Sequence, residues 1–178
     1  MHFVTYSIVY WIDLFTRPVY KDIIINSLDY CCEYKGLRVF AWCIMSNHIH
    51  LIISTDGKNR PEAIMRDHKR HCSELIHKQL ESFNGESRRE WMLSLMKKAG
   101  LENKNNAGFQ LWQQENHPIM ITDEAMLIQK LDYIHNNPVK AGFVDEAKAW
   151  LYSSAKNYAG EEGLLKRISL LEIGLRNK

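Results

Sequence analysis

The chain has 178 residues, of which 46% are hydrophobic and 25% charged, with a formal net charge of +2 at pH 7. This composition is typical of a globular domain with a real core, and it excludes disordered and strongly charged classes. No apolar run reaches about 18 residues, which excludes a membrane-spanning helix. The mildly basic balance permits nucleic-acid binding but does not argue for it.

The cysteines show no pattern of a disulfide framework or a zinc site. They are Cys31, Cys32, Cys43 and Cys72, and none of them form a Cys-x-x-Cys pair. Free buried thiols in a reducing environment are the simplest interpretation. The first residues also lack the basic and apolar regions of a secretory signal. We therefore expect a cytoplasmic location.

The first predicted element is a strand over residues 3–12, which are rich in β-branched and aromatic types. Thr5 and Ser7 would lie on its more polar face. Its core face takes the alternate positions, which are Val4, Tyr6, Ile8, Tyr10 and Ile12. A helix over residues 18–35 follows, because Pro18 suits its first turn and Gly36 its end.

The next two elements predict a hairpin. Residues 37–45 are almost continuously apolar, as in a central strand that is buried on both faces. After the polar break at Ser46 and Asn47, a second strand runs to about Ser54. A helix then begins near Pro61 and ends near Leu80. Cations on one side of this helix either form a solvated face or follow a nucleic-acid backbone.

Residues 81–108 are interpreted as an inserted, mobile element on the fold. It contains a helical pattern over residues 88–99 and a polar loop over residues 102–108. Residues 109–113 predict a strand. Pro118 then precedes a bent strand or edge hairpin over residues 119–121.

The third main helix is predicted from Ala125 to about Asn136, since a helix is expected to end before Pro138. Thr122 or Asp123 would cap it. Its apolar stripe consists of Leu127, Ile128, Leu131 and Ile134. At 100° per residue, Tyr133 lies roughly 150° from the centre of this stripe. Asn137 follows one turn later on the same face as Tyr133.

The order of elements predicts an α+β fold with the ferredoxin-like β-α-β-β-α-β arrangement. We expect one domain over residues 1–158, with the insertion at 81–108. Residues 159–178 predict a C-terminal helical tail, because their leucines and isoleucines fit an amphipathic helix. The first two helices of such a fold cover one sheet face. The third is then free to cover the other face or an edge.

Two histidines occupy alternate positions at the start of the strand after Asn47. His48 and His50 point to one sheet face, while Ile49 and Leu51 point to the other. Their Cα atoms would lie about 7 Å apart, so both rings can turn onto one cation. A half-buried strand with two ordinary histidines is the alternative. If the third helix covers this face, Tyr133 approaches the histidines.

These segments resemble a known family. Met45-Ser46-Asn47-His48-Ile49-His50-Leu51 resembles the His-hydrophobic-His motif of the HUH nucleases. Tyr133-Ile134-His135-Asn136-Asn137-Pro138-Val139-Lys140-Ala141-Gly142-Phe143-Val144 resembles the tyrosine-bearing helix end of their single-tyrosine transposases. Trp112-Gln113 and the segment from Trp150 to Tyr158 resemble the REP-associated branch. The resemblance extends from the first strand to about Tyr158, without the insertion.

The resemblance implies a transposase that cleaves and transfers single-stranded DNA flanked by a hairpin. Attack by Tyr133 would leave a 5′-phosphotyrosine link and a free 3′-hydroxyl. Mg²⁺ or Mn²⁺ on His48 and His50 would polarise and orient the phosphate. In the family, a polar residue one turn after the tyrosine supplies a third ligand, often glutamine. Asn137 takes that position here, and His135 or Asn136 are the alternatives.

The implied partner is single-stranded DNA. The cations predicted to contact its backbone are Lys69, Arg70, Arg88, Arg89 and Lys140. Insertion-sequence members of the family are dimers that can exchange tyrosine helices, whereas the REP-associated branch tends to act as monomers. We expect a monomer, with a homodimer as the alternative.

Other function classes remain open on the sequence. A domesticated relative would bind DNA or RNA hairpins without cleaving them. A ferredoxin-like sheet is also the architecture of RNA-recognition modules, but their Lys/Arg-Gly-Phe/Tyr type of motif is absent from this sequence. A metallohydrolase for small molecules would need a carboxylate base near the metal, and the pattern places none there. A covalent protein–DNA adduct distinguishes the transposase from the binders.

Overall fold

A computed structural model describes residues 1–103, 108–114 and 118–172. Its main elements are β1 (His2–Ser7), α1 (Pro18–Tyr34), β2 (Leu37–Ile44), β3 (His48–Thr55), α2 (Pro61–Ser82), α3 (Arg89–Glu102), β4 (Ile119–Met120), α4 (Glu124–Lys140) and α5 (Ala155–Tyr158). The strands form one antiparallel sheet in the order β2-β3-β1-β4. This order confirms the predicted ferredoxin-like α+β fold. The predicted first helix and the β2–β3 hairpin are also confirmed.

The sheet has a helical layer on each face. Helices α1 and α2 cover one face, where Tyr6 and Ile8 are buried against Ile24 and Cys72. Helix α4 covers the other face, where Leu131 and Ile134 pack with Phe3, Ala41 and Ile52. The third main helix therefore lies on the face opposite to the first two. No helix in the described ranges is long and apolar enough to span a bilayer.

Strand β1 is shorter than the sequence predicted. It ends at Ser7, and Ile8 makes a single bridge before a 3-10 turn over Val9–Trp11. Tyr10 and Trp11 have φ angles of 54° and 55°, so the backbone leaves the pleat of the strand. The predicted core position of Tyr10 is therefore wrong, because its side chain is 44% exposed.

Strand β2 is an edge strand, not the predicted central one. Its outer edge is covered by the chain after α4. Ile44 N donates to Tyr152 O at 2.9 Å, and Ser169 N donates to Val39 O at 2.9 Å. The described part of the tail, residues 159–172, forms no helix. The predicted tail helix is therefore wrong there, and residues 173–178 lie outside the described residues.

Helix α3 belongs to the main core, not to a separate surface element. Met92, Met96 and Ala99 are buried in the same cluster as α1 and α2. The segment predicted as an insertion thus contributes a helix to the core between α2 and β4, and its place as an insertion in the fold stays a prediction. The strand predicted over 109–113 shrinks to one bridge between Ile8 and Trp112. Residues 104–107 of the predicted loop lie outside the described part of the chain.

Helix α4 starts as predicted but ends later. Asp123 caps it by accepting a hydrogen bond of 2.8 Å from Met126 N. The helix passes through Pro138 and ends at Lys140. The predicted end before Pro138 is wrong.

Residues beyond the proline close the last turn of α4. Phe143 N donates to Pro138 O and Gly142 N donates to Val139 O, both at 2.9 Å. Gly142 has a φ of 73°, which glycine adopts without strain. This pair of bonds is a Schellman motif, and it satisfies carbonyls that the helix end leaves open.

The cysteines are free thiols, as the sequence predicted. Burial raises the pKa of Cys43 and of Cys72 to about 12. Both therefore stay protonated at neutral pH and pack as small apolar side chains.

Candidate active site

The register of β1 and β3 positions the histidine pair. Ser7 lies opposite His48, and Thr5 lies opposite His50. Both histidines point to the sheet face that α4 covers, and their ring centroids are 4.7 Å apart with an angle of 73° between the planes.

Hydrogen bonds fix the orientation of both rings. His50 Nε2 lies 3.2 Å from Asn137 Nδ2, and His50 Nδ1 lies 2.7 Å from Thr5 Oγ1. If the amide donates to Nε2, the proton of His50 is on Nδ1 and Thr5 accepts it. His48 Nδ1 likewise donates to Asn47 Oδ1 at 2.7 Å. Both imidazoles then keep a lone pair on Nε2, which is the form that binds a metal ion.

Burial keeps the pair neutral. Burial, the neighbouring His48 and the charge of Lys130 lower the pKa of His50 to about 3. Burial also lowers the pKa of His48, while Asp13 acts in the opposite direction. Cation binding therefore needs no displacement of protons from these rings at neutral pH.

Helix α4 brings Tyr133 to the histidines. The centroid of its ring lies 5.1 Å from that of His50 and 5.9 Å from that of Phe3. Leu131 and Ile134 anchor the helix on its apolar side, so the phenol projects from a different face and remains 40% exposed. A side chain on this helix thus lies beside a ring of the distant strand β3 and is still open to solvent.

The structure distinguishes the three candidates for a third ligand. Asn137 contacts His50, as described above. His135 points elsewhere: its Nε2 lies 2.8 Å from Ser154 Oγ, and burial lowers its pKa to about 4. Asn136 is exposed and donates to Asp132 O at 3.0 Å. Asn137 alone of the three contacts the histidine pair.

The residues present fit a divalent cation. Among the described residues, no three histidine, cysteine, aspartate or glutamate side chains are grouped to hold a metal. The pair would therefore need an amide as its third donor. Asn137 presents Nδ2 to His50, and a half-turn of its amide would present Oδ1 instead. Two nitrogens and one oxygen suit Mn²⁺ or Mg²⁺ and leave positions for substrate oxygens.

Lys130 is a cation at the site that the sequence reasoning missed. Its Nζ lies 4.9 Å from the ring centroid of Phe3, which stacks on His50 at 5.7 Å. In the described part of the chain, Lys130 forms no ion pair. Its spacing of three residues before Tyr133 was the available signal, since such residues share a helix face.

Two of the predicted DNA contacts lie on α2, in the opposite helical layer. Lys69 packs over the rings of Tyr6 and Trp112, at 5.7 and 5.9 Å, and burial lowers its pKa to about 8. Arg70 forms an ion pair of 3.8 Å with Asp67. The structure does not bring these two residues to the histidine pair.

The other predicted contacts differ in their surroundings. Arg88 donates to the buried Glu86 at 2.9 Å and to Asp13 O at 2.8 Å, so its guanidinium holds a loop to the start of α3. Arg89 Nη1 lies 3.5 Å from Asn84 Oδ1. Lys140 is exposed in the last turn of α4. Of the five predicted cations, Lys140 is the one on the helix that carries Tyr133.

Comparisons with known proteins agree with the motifs. Residues 1–94 match the family model described as IS200-like transposases. A protein of Haemophilus influenzae named as a REP-associated tyrosine transposase is 30% identical over 124 residues, which are 69% of this chain and 61% of that protein. A solved structure, of a REP-associated tyrosine transposase bound to a REP hairpin, matches with a TM-score of 0.63 at 16% identity. That match covers 99% of this chain and 90% of the solved one, and it shows a shared fold.

Proposed function

The chain belongs to the family of IS200-like transposases, and on this premise we propose that it cleaves and rejoins single-stranded DNA beside a hairpin. Tyr133 is the proposed nucleophile. The observation that carries the proposal is the contact between its ring and that of His50, at 5.1 Å between centroids. The hairpin in the related solved structure supports the class of substrate.

The proposal includes a divalent cation held by His48, His50 and Asn137. When bound, Mg²⁺ or Mn²⁺ supplies Lewis acidity at the scissile phosphate. Thr5 and Asn47 hold the two imidazoles in place through Nδ1. The lowered pKa values of His48 and His50 keep both rings neutral and available as metal donors.

The chemistry of Tyr133 is a transesterification. A bond forms between the phenolic oxygen and phosphorus while the bond from phosphorus to the 3′-oxygen breaks. The phenolic proton passes to water, and the departing oxygen takes a proton from water to become a 3′-hydroxyl. The resulting 5′-phosphotyrosine keeps the energy of the original ester. A second 3′-hydroxyl therefore reverses the step and joins strands without a nucleotide cofactor.

Lys130 is the proposed contact for a phosphate of the bound strand. Its charge lies on the face of α4 that carries Tyr133, near the neutral imidazole of His50. A cation without an acidic partner in the described residues attracts an anion, and the DNA backbone supplies one at every nucleotide. Lys140, in the last turn of the same helix, is a second proposed phosphate contact.

The test is a search for a covalent adduct. Labelled single-stranded hairpins from the DNA that flanks the gene are incubated with the protein and Mn²⁺ or a chelator, then separated on a denaturing gel. We expect a metal-dependent band of protein-linked DNA that disappears in Tyr133→Phe. Tyr30→Phe, at a 53% exposed tyrosine of α1, is the matched control and should keep the band. Tight binding without an adduct, despite Mn²⁺ uptake, would contradict catalysis and indicate a non-catalytic hairpin-binding protein.

A further inference from the structure

The turn after β1 holds two aromatic residues in an unfavourable backbone conformation. Tyr10 has φ 54° and ψ 22°, and Trp11 has φ 55°. These are the only two residues other than glycine with positive φ in the part of the chain that the structure describes. The left-handed region is disfavoured for bulky side chains, because Cβ approaches the carbonyl oxygen. Such backbone strain persists where surrounding contacts impose it, and it is common at functional sites.

Side chains from two other segments hold this turn. Tyr10 donates its hydroxyl to Glu102 Oε2 at 3.0 Å, which ties the turn to the end of α3. Asn47 donates from Nδ2 to Trp11 O at 3.3 Å and to Asp13 Oδ1 at 2.9 Å. The strained conformation is thus built into the fold by contacts on both sides.

The result is an exposed indole beside the histidine pair. Trp11 is 56% exposed, and its ring centroid lies 6.1 Å from that of His48. Asn47 links the two, because it donates to Trp11 O and accepts the Nδ1 proton of His48. The backbone of Trp11 is therefore held relative to His48, and its indole lies beside that imidazole with more than half of its surface open.

Burial does not explain this arrangement. A glycine at position 11 would remove the backbone strain at that residue, and an exposed ring contributes little to the core. Aromatic rings that stand free beside a site for single-stranded nucleic acid stack on bases of any type.

We propose that Trp11 is a stacking platform for one unpaired base next to the phosphate at the histidine pair. This inference rests on the proposed function, because it needs a single strand at that site. It makes Trp11 a positioning residue, since the ring would hold the nucleotide and leave the chemistry to Tyr133. Stacking of this kind tolerates every base, so Trp11 would set the path of the strand and not its sequence.

The test measures equilibrium binding of a labelled single-stranded hairpin in chelator, where no cleavage interferes. We expect Trp11→Gly to weaken binding about tenfold, within the range of base stacking on an aromatic ring. Its thermal midpoint should stay the same or rise, because glycine relieves the left-handed backbone. Trp11→Phe should keep most of the affinity. Trp91→Ala, at a 44% exposed tryptophan of α3, is the matched control and should bind like the wild type.

Substrates that each lack one base, at successive positions of the strand, identify the base that stacks on Trp11. One abasic position should weaken binding to the wild type by a similar factor and have no further effect on Trp11→Gly. Unchanged affinity of Trp11→Gly, or equal sensitivity of both proteins at every position, would overturn the inference. If the wild type still forms the Tyr133 adduct in that case, the proposed function stands alone. A wild type that binds no single strand would overturn both.

Discussion

Asn137→Ala separates metal binding from folding at the candidate site. Without metal, the substitution removes one hydrogen bond of 3.2 Å, from Asn137 Nδ2 to His50 Nε2. Such a bond contributes about 0.5–1.5 kcal/mol to stability. Alanine returns up to about 0.7 kcal/mol through its higher helix propensity. We therefore expect the free energy of unfolding in chelator to fall by less than about 1 kcal/mol.

The same substitution should lower the affinity for the metal ion by more than it lowers the stability. Residues that merely support a metal ligand change affinity by about 10- to 100-fold when replaced. Asn137 is proposed as a ligand itself, so its loss should raise the Kd for Mn²⁺ at least about tenfold, or about 1.4 kcal/mol. Asn137→Gln keeps the amide oxygen on a chain longer by one methylene, so it should retain part of the affinity.

Titration of Mn²⁺ followed by electron paramagnetic resonance measures these affinities, and thermal unfolding in chelator measures stability. Asn136→Ala is the matched control, because this neighbouring asparagine donates to Asp132 O and not to a histidine. It should bind Mn²⁺ like the wild type. An unchanged Kd in Asn137→Ala, or an equal loss in Asn136→Ala, would refute the assignment.

Three further predictions follow from the structure. Lys130→Gln should lower the steepness of log affinity for single-stranded DNA against log salt concentration by about 0.7–1. Arg70→Gln, in the opposite helical layer, should leave this slope unchanged. Equal slopes in the wild type and both variants would contradict the phosphate contact. Stability in chelator should fall between pH 7 and pH 5, because burial lowers the pKa of His68 to about 3 and only the unfolded chain binds its proton in that range. This histidine alone contributes a loss of about 2 kcal/mol. His50 and His135, whose pKa values burial lowers to about 3 and about 4, add to the loss. Urea unfolding measures the total, and identical midpoints at both pH values would contradict the prediction. A mixture of Tyr133→Phe and His50→Ala proteins should form no DNA adduct, since both residues lie in one chain; restored adduct would show that chains share the site.

The candidate site was predictable because local periodicity determines its parts. Alternation along β3 places His48 and His50 on one face, and the helical repeat places Tyr133 and Asn137 together. The apolar stripe of α4 then needs a sheet face, and the first two helices already occupy the other one. Lys130 shares the face of Tyr133, but a lone lysine on a helix is usually solvated. Only its contact with Phe3 distinguishes it.

The errors lie where distant residues decide the local structure. Pro138 ends a helix by local rules, but the bonds from Gly142 and Phe143 close the turn around it. Lys69 has the spacing of an exposed cation, yet the rings of Tyr6 and Trp112 draw it against the sheet. No side-chain pattern in the sequence predicts the positive φ angles of Tyr10 and Trp11.

Distant contacts also decide the structure of the tail, residues 159–172. Its apolar residues fit a helical repeat, but Leu165 is buried against the core and Ile168 bridges Val39 at the edge of β2. A sheet edge needs hydrogen-bonding partners, and this segment supplies them. The sequence contains no local signal that β2 is an edge strand.

The segment that covers the edge of β2 also bears on whether Tyr133 and the histidines of one active site come from the same chain. Helix α4 packs on its own sheet through Leu131 and Ile134, and the segment after it is attached to the same sheet. Trp150 Nε1 donates to Ile44 O at 3.0 Å, and Tyr158 Oη donates to Phe40 O at 2.9 Å. An exchange of α4 between two chains would have to carry this edge cover along or break it. Since α4 packs on its own sheet and the segment after it is bonded to β2 of the same chain, we expect Tyr133 to act with the histidines of its own chain, as a monomer would require.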